Sequence, residues 1–467
     1  MVLARSVHGV VRNPAAPAEV LLRLVAEEAS EVWLELAWRR LPPEVVDAVI
    51  AHPDARVRAA FTENVTVAGE VRARLVGDPS ARVRLRLAAG PGWFRVENPP
   101  LPEWAQLRLI NDANQHVSHE ALTCPGTSPR ALASLAGDLD PRKRSAACRA
   151  WALLDPQVRA GLRADPDVDV RTAAARAAST EDPDASDTYL SATAGTKTLG
   201  ERARVIRRAA LHRATAERLA EHGDAAERAA VAGNPRVPVE QVRHLAGDPE
   251  HAVRLMFASR PDLTEAERAA VDYHVRGEDR LPALDWVLEA SDAQLLRRCA
   301  RSSNALIRRS AACNKHLPQD AVDLLCADED FPVRILLCEN QPTVDGEVVL
   351  QTFLRWDSVV SAALQQHPNF PHERLAERFA TDPDAHKRWL IYQDRDAPSE
   401  IVLRLSHDED LSVRRSIAGH PNLPVERLLE LTEDPDPGTA ERAAANPSLP
   451  PETMHRLLDA AGIPNHA

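Results

Sequence analysis

Many prolines of this chain lie on a grid with a step of about 26 residues, and this spacing constrains the fold more than any other feature. Eleven prolines fall on the grid, namely Pro17, Pro42, Pro102, Pro129, Pro156, Pro238, Pro318, Pro371, Pro398, Pro424 and Pro450. A repeat of 20 to 50 residues is typical of arrays in which each unit stacks only on its neighbours. A length of 467 residues would otherwise suggest about three domains. The grid predicts a single repeat array instead.

Each unit is predicted to hold two short helices. Proline suits the first turn of a helix, where an N–H has no partner, and glutamate often follows it near the positive helix end. About ten residues later an aspartate, often followed by proline, predicts a turn and the N-cap of a second helix. Alanine-rich sequence then stops at Asn-Pro or His-Pro. We predict an all-α fold, an α-solenoid superhelix of about seventeen 26-residue two-helix repeats.

An arginine follows the turn aspartate by six residues in many units. The predicted members of this set are Asp78 with Arg84, Asp248 with Arg254, Asp328 with Arg334, and Asp408 with Arg414. An array of arginines could bind anions or act in catalysis. Because the pairs recur at one phase of the repeat, we interpret them as a structural ladder. Each arginine would bind helix-end carbonyls and the neighbouring aspartate.

The grid breaks at two places. An insertion of about eight residues is centred on 90–98, and the stretch 181–200 is polar and without an apolar period. We therefore predict an N-terminal array over 1–180, a degenerate repeat or loop over 181–200 that could act as a hinge, and a C-terminal array over 201–467 continuing the same solenoid.

The units resemble two related repeat families. The Asp-x5-Arg spacing is similar to that of HEAT repeats. The 26-residue length and the Asn446-Pro447-x-x-Pro450 corner more closely resemble the leucine-rich-repeat variant family of bacterial proteins. This resemblance implies a right-handed superhelix of alternating α and 3₁₀ helices over residues 13–460. One branch of that family carries an N-terminal cysteine cluster for an iron–sulfur centre, but the first cysteine here is Cys124.

The insertion offers the strongest candidate for recognition. Trp93, Phe94 and Arg95 lie on it, and Trp104 follows close behind. Insertions in solenoids emerge as loops on one face, and Trp and Arg often anchor binding sites. The alternative is that Trp93 and Phe94 fold back into a neighbouring groove. Trp33 and Trp38 lie in the first repeat, and we expect them to cap the exposed end of the stack.

Arginine clusters are the second candidate for binding. Arg297, Arg298 and Arg301 crowd one segment, and a groove of arginines could follow phosphates. The net charge of −12 disfavours nucleic acid as the partner. Arginines paired singly with carboxylates would favour a protein scaffold. Arginines that converge beside aromatics would favour a nucleic-acid-binding or base-excision protein.

Metal and cofactor sites are not predicted. Cys299, Cys313, Cys326 and Cys338 lie close in sequence, but equivalent positions of adjacent repeats are too far apart to share one zinc ion. We expect these cysteines to be buried small hydrophobic residues.

The combined expectation is a non-enzymatic, cytoplasmic repeat scaffold that binds a protein or peptide. The sequence shows no secretory leader, and no stretch of 18 apolar residues that would span a membrane. The alternative function is nucleic-acid binding or base excision.

Overall fold

The computed structural model describes residues 2–90, 99–195, 199–356 and 362–465. These residues form α-helices and short 3₁₀ helices, with no β-strand among them. The chain divides into two compact units, one of residues 1–132 with 372–467 and the other of residues 133–371. The predicted all-α repeat fold is confirmed. None of the helices in the described ranges is long and apolar enough to cross a membrane.

Short helices follow one another throughout both units. Those of the first unit are Val2–Arg12, Ala18–Arg23, Glu27–Trp38 (3₁₀), Pro43–Ala51, Ala55–Phe61, Gly69–Arg72, Ala73–Leu75 (3₁₀), Ala81–Ala89, Glu103–Ile110, Gln115–Thr123, Leu375–Phe379, Ala385–Trp389, Leu390–Gln393 (3₁₀), Ser399–Leu405, Leu411–Ala418, Val425–Leu431, Pro437–Ala444 and Pro451–Ala460, while Pro129–Ala133 spans the boundary in sequence. Those of the second unit are Pro141–Ala147, Cys148–Leu153 (3₁₀), Pro156–Arg163, Val168–Ala178, Pro183–Ala192, Leu199–Ile206, Arg213–His222, Ala225–Ala232, Val239–Val242, Arg243–Gly247 (3₁₀), His251–Ala258, Glu265–Ala269, Asp285–Leu288, Ala293–Ala300, Ala305–Ala312, Gln319–Leu325, Phe331–Asn340, Gly346–Arg355 and Ala362–Gln365.

The first helix of a repeat, called here the A helix, begins directly after the grid proline in most repeats. Pro424 is the N-cap of helix Val425–Leu431, with ψ of 137°, and Glu426 lies in the first turn. The sequence predicted the proline inside the first turn, which is where Pro156 lies in helix Pro156–Arg163, whereas Pro424 lies one position earlier. The N-cap position also suits proline, because an N-cap residue has non-helical ψ and its N–H has no partner within the helix.

The second helix of a repeat, called here the B helix, follows two acidic residues spaced two apart. Asp408 accepts a hydrogen bond from the backbone N of Asp410 at 2.9 Å, which forms the turn. Asp410 then accepts from the backbone N of Ser412 at 2.8 Å and caps helix Leu411–Ala418. The turn between the A and B helices is thus held by short polar side chains, as predicted for Asp-rich turns.

Arginines connect the A–B turns of successive repeats. Arg388 donates from Nε and Nη2 to both carboxylate oxygens of Asp408, each at 2.8 Å, and from Nη1 to the carbonyl of Asp382 at 2.9 Å. The hydrogen bond from Arg388 lowers the pKa of Asp408. The same bidentate contact between a guanidinium and a carboxylate joins Arg58 to Asp78, Arg84 to Asp112, Arg144 to Asp165, Arg228 to Asp248, and Arg308 to Asp328. We call this series the turn ladder.

The pairing within the turn ladder differs from the pairs singled out in the sequence. Three of those arginines, Arg84, Arg254 and Arg414, contact their own aspartate only through its backbone carbonyl, at 2.5–2.7 Å. The carboxylate is bound by the arginine of the preceding repeat. Arg334 has no hydrogen bond to Asp328 among the described contacts and lies over the Phe331 ring at 5.2 Å. Sequence spacing cannot distinguish the two pairings, because both recur with the same period.

A second series of side chains connects the corners where each B helix ends, and we call it the corner ladder. Asn446 is buried, and its Nδ2 donates to the carbonyls of Ala418 and His420 in the preceding corner at 2.9 and 2.8 Å. Its Oδ1 accepts from the backbone N of Ser448 at 2.8 Å. The equivalent donors to preceding carbonyls are Arg39, Asn64, Asn234, Arg260, Asn314, Gln341, His367 and His420.

The corner ladder continues from the C-terminal repeat to the N-terminal residues within the first unit. Asn13 Nδ2 donates to the carbonyls of Ala444 and Asn446 at 3.1 and 2.6 Å, and Arg39 Nη1 donates in turn to that of Asn13 at 3.1 Å. Helix Val2–Arg12 packs on helix Pro437–Ala444. It therefore takes the place of the B helix that would follow the A helix Pro451–Ala460.

The contact between these two helices is close. A Cβ atom at Gly9 would lie 2.2 Å from the carbonyl oxygen of Glu441 and 2.5 Å from the Cβ of Ala444. Arg12 donates to Glu441 at 2.5 Å, while Val7 and Val10 are buried. Glycine is thus required for the backbones to approach to this distance.

The prediction that the first repeat caps an exposed end of the stack is wrong. Trp33 is buried, and its ring packs edge-on against the His52 ring with 6.0 Å between the ring centres. The Arg56 guanidinium lies 5.2 Å from the centre of the Trp33 ring. Because helix Val2–Arg12 stacks on the C-terminal repeat, the first repeat lies inside a stack and has no free end to cover.

The two predicted breaks have different outcomes. Residues 91–98, most of the insertion, lie outside the described residues, and so do 196–198. The stretch 181–200 lies within the second unit and supplies helix Pro183–Ala192 and the start of Leu199–Ile206. An unpredicted irregularity occurs at 270–284, which is not helical, and Arg309 binds there to the carbonyls of Arg276 and Asp279 at 2.8 and 3.1 Å.

Replacing Asn13 by alanine should destabilise the chain as much as replacing Asn446. Each change leaves two buried carbonyls without their donor, at an expected cost of about 1–3 kcal/mol. Chemical denaturation of N13A and N446A measures the loss in free energy of unfolding. The control is N111A, a substitution at an exposed residue. An N13A variant as stable as N111A would contradict the continuation of the corner ladder.

His420 should make stability depend on pH. Its Nδ1 accepts from the backbone N of Asn422 and its Nε2 donates to the carbonyl of Asp394, an arrangement available only to the neutral ring. Burial lowers the pKa of His420 below 6.5. The folded chain therefore binds fewer protons than the unfolded chain, and stability should fall as pH drops below about 6.5.

The matched variant for that prediction is His420→Asn, because asparagine holds the same position at Asn446. Denaturation at pH 7.5 and 5.5 should show a smaller loss of stability for H420N than for the unmodified chain. An exposed control, His222→Asn, should keep the full loss. Equal losses in H420N and the unmodified chain would show that His420 does not titrate in this range.

Candidate functional site

The candidate sites of the sequence analysis belong to different parts of the chain. Trp93, Phe94 and Arg95 belong to residues 91–98 and are outside the described residues. Whether they form a binding loop or fill a groove therefore stays a prediction. The other candidates, Trp104 and the arginine cluster at 297–301, fall in different units.

Trp104 lies at an open groove formed by three successive A helices. Its side chain is 56% exposed on helix Glu103–Ile110. The groove has a volume of about 660 Å³ and is also lined by Ile50, Leu75 and Arg108. An ion pair of 2.8 Å between Arg74 and Asp47 links two of the three helices. This places an exposed aromatic ring and an arginine side by side at a concave surface.

Two of the three arginines of the cluster at 297–301 form hydrogen bonds within the fold. Arg297 donates to Asp320 at 2.8 Å, and Arg301 donates to the carbonyl of Arg297 at 3.1 Å. Arg298 lies in the last turn of helix Ala293–Ala300. Two arginines in the following helix bind single aspartates in the same way, Arg308 with Asp328 and Arg309 with Asp330.

The four neighbouring cysteines are free thiols in apolar surroundings. Burial raises the pKa of Cys299, Cys313 and Cys338 to about 11, so these thiols are protonated and weakly reactive at neutral pH. Within the described ranges no cluster of three or more His, Cys, Asp or Glu side chains could hold a metal ion.

Arg72 lines a further cavity, which the sequence analysis did not predict. The cavity has a volume of about 340 Å³, and its lining includes Leu87, Leu101, Leu109 and Cys124. Arg72 is only 1% exposed. Its Nη2 donates to the carbonyl of Pro99, and its Nη1 lies 3.4 Å from that of Thr62.

The charge of Arg72 has no acidic partner in the described part of the chain. Its Nε is buried without a hydrogen-bond acceptor there, and no carboxylate lies within ion-pair distance. Burial lowers the pKa of Arg72 to about 10, with the nearby charge of Glu70 acting in the opposite direction. A signal for this site exists in the sequence. Arg72 is the fourth residue of its A helix, where other repeats carry the buried aliphatic residues Val46 or Leu428.

Comparison with known proteins bears on one of the repeats. Residues 412–436 match the family model described as leucine rich repeat variant. They cover most of B helix Leu411–Ala418, the corner at His420, A helix Val425–Leu431 and the next turn. The solved structure of an engineered protein from a structural genomics consortium is 16% identical. It covers 92% of this chain and 97% of its own, but its TM-score of 0.15 is too low to bear on the fold.

No curated protein matches the sequence. The match over residues 412–436 includes a corner and a turn that recur along both units. It confirms the resemblance predicted from the sequence, and this chain carries a repeat of the leucine-rich-repeat variant family.

Proposed function

We propose that this protein is a non-enzymatic repeat scaffold that binds a protein or peptide along its exposed A helices. The observation that carries the proposal is the groove at Trp104. Stacked repeats present neighbouring helices as a continuous surface, and such surfaces serve as binding faces in solenoid proteins. The partner's contact would be centred on Trp104.

The chemistry of the groove supports a protein partner. An indole that is 56% exposed leaves much of its apolar area in water, and covering it on binding is favourable. Trp and Arg are the residues most enriched among those that dominate binding energy. Trp104 and Arg108 line the same groove together with the aliphatic side chains of Ile50 and Leu75.

Nucleic-acid binding is less well supported. A surface that follows phosphates needs arginines free to release counterions from the nucleic acid. Here Arg297, Arg308 and Arg309 each bind an aspartate, and the whole chain has a net charge of −12. Arginines paired singly with aspartates are the pattern expected of a scaffold.

Trp104→Ala should weaken partner binding strongly without loss of stability. Because Trp104 is exposed, its removal should change the free energy of unfolding by no more than about 0.5 kcal/mol. Affinity capture with tagged protein from its native lysate, with and without nuclease, should recover a discrete protein. Recovery by W104A should fall about tenfold or more.

The matched control is Leu139→Ala, which removes a 97% exposed apolar side chain that does not line the groove. L139A should recover the partner as well as the unmodified chain does. Equal recovery by W104A and L139A would overturn the assignment of the groove. Recovery that disappears with nuclease would favour the nucleic-acid alternative.

A further inference from the structure

The argument begins with the position of Arg72 in the repeat. The fourth residue of the A helix faces the core, and it is Val46, Val242, Val402 or Leu428 in other repeats, each buried. Placing a guanidinium there removes a charge from water, which costs several kcal/mol unless an anion compensates it. Arg72 therefore requires a specific reason for its presence.

Three other repeats carry arginine at the same position, and two of them provide a carboxylate. Arg202 donates from Nε and Nη2 to Glu227 at 3.1 and 2.7 Å. Arg268 donates from Nε to Glu265 at 3.2 Å and from Nη2 to the carbonyl of Arg260 at 3.1 Å. The third, Arg159 of helix Pro156–Arg163, is only partly buried and lies over the Trp151 ring at 5.6 Å, whereas Arg72 is 1% exposed and has no carboxylate among the described residues.

At Arg72 a cavity lies next to the guanidinium. The cavity of about 340 Å³ is within the size range of small-molecule sites, and its lining is mostly apolar apart from Arg72, Gln106 and Thr127. Gln106 is already engaged, since its Nε2 donates to the carbonyl of Leu101 and its Oε1 accepts from the backbone N of Ser128. Thr127 likewise donates to the carbonyl of Ala121 at 2.8 Å.

Arg72 is therefore the polar group with capacity left for a ligand. Its Nε has no acceptor in the described part of the chain, and a guanidinium binds a carboxylate with two parallel hydrogen bonds. A phosphate would bring two charges into an apolar cavity against a single arginine, whereas a carboxylate balances that charge. The apolar walls select the remainder of the ligand.

We propose that this cavity binds a carboxylate carried on an apolar group, with Arg72 as its counter-ion. The ligand supplies the partner that Glu227 and Glu265 supply to the equivalent arginines. Two sources share this chemistry, a free aliphatic carboxylic acid and the C-terminal residue of a peptide that ends in an aliphatic side chain. The site is distinct from the groove at Trp104, and the proposal does not depend on the scaffold function.

The test compares ligands that differ only in charge, using the full chain. Titration calorimetry with octanoate should show binding, and octanol should bind about tenfold more weakly or not at all, because it lacks the charge-assisted hydrogen bonds. A tetrapeptide ending in leucine and the same peptide with an amidated C-terminus form the second arm. Binding of the free peptide alone, without octanoate binding, would assign the source as a chain terminus.

Substitution of the arginine gives an independent readout. Arg72→Leu restores the residue type used at this position in other repeats, and it should abolish the preference for octanoate over octanol. R72L should also be more stable than the unmodified chain, because it removes an unpaired buried charge. Arg268→Leu should be less stable, because it leaves Glu265 without its partner.

Several results would overturn the proposal. Equal affinities for octanoate and octanol would show that Arg72 does not bind the carboxylate. The same conclusion would follow if neither octanoate nor the free peptide bound, or if R72L retained the preference for octanoate. Loss of stability in R72L comparable with that in R268L would show that a partner within the chain already satisfies Arg72. The comparison of octanoate with octanol remains decisive if R72L does not fold.

Discussion

The structure depends on one repeated hydrogen-bond arrangement, the donation from each corner side chain to the carbonyls of the preceding corner. The last carbonyls of a helix have no partner within that helix, and leaving them buried and unpaired is costly. Asn446 satisfies two of them and fixes its own corner through Oδ1. Each corner therefore both closes one repeat and holds the next at a set distance.

Several residue types can form this arrangement, because it requires only a side chain that reaches the carbonyls of the preceding corner and has an N–H to donate to them. Asn, Gln, His and Arg all occur at corners, and each places an N–H on the preceding carbonyls. The turn ladder does the same at the other end of the helices, with arginine bridging a carbonyl and the next repeat's aspartate. The corner ladder and the turn ladder thus fix successive repeats relative to one another, which the alanine-rich and leucine-rich core alone would not do.

The sequence predicted the period, the two-helix unit and the caps because these depend on residues close together in the chain. The proline grid and the Asp-rich turns are local signals with a local physical cause. The corner Asn-Pro was interpreted only as a helix stop, since its hydrogen bonds reach about one repeat back. The contact between the two ends was missed for a similar reason. Residues 2–14 contain the B helix and the Asn13-Pro14 corner of a repeat, and this pattern was the available signal.

The functional surfaces were harder to predict than the fold. Trp104 was identified from its residue type, but the groove around it is formed by three helices that lie between Pro43 and Ile110 in the sequence, and it exists only when these helices stack. Arg72 was missed because its significance lies in the lack of a nearby carboxylate among the described residues, which a periodic sequence does not reveal. Two other repeats with arginine at this position carry their own glutamates. The contrast becomes visible only when the equivalent positions are compared in space.

The central claim is that helix Val2–Arg12 completes the repeat begun by Pro451–Ala460. The most direct measurement is hydrogen exchange along helix Pro437–Ala444 in the full chain and in a chain lacking residues 2–12. The corner ladder predicts that amides of this helix and of the Asn446 corner lose protection on deletion, while those of Ala305–Ala312 in the second unit keep it. Unchanged protection in helix Pro437–Ala444 would contradict the account.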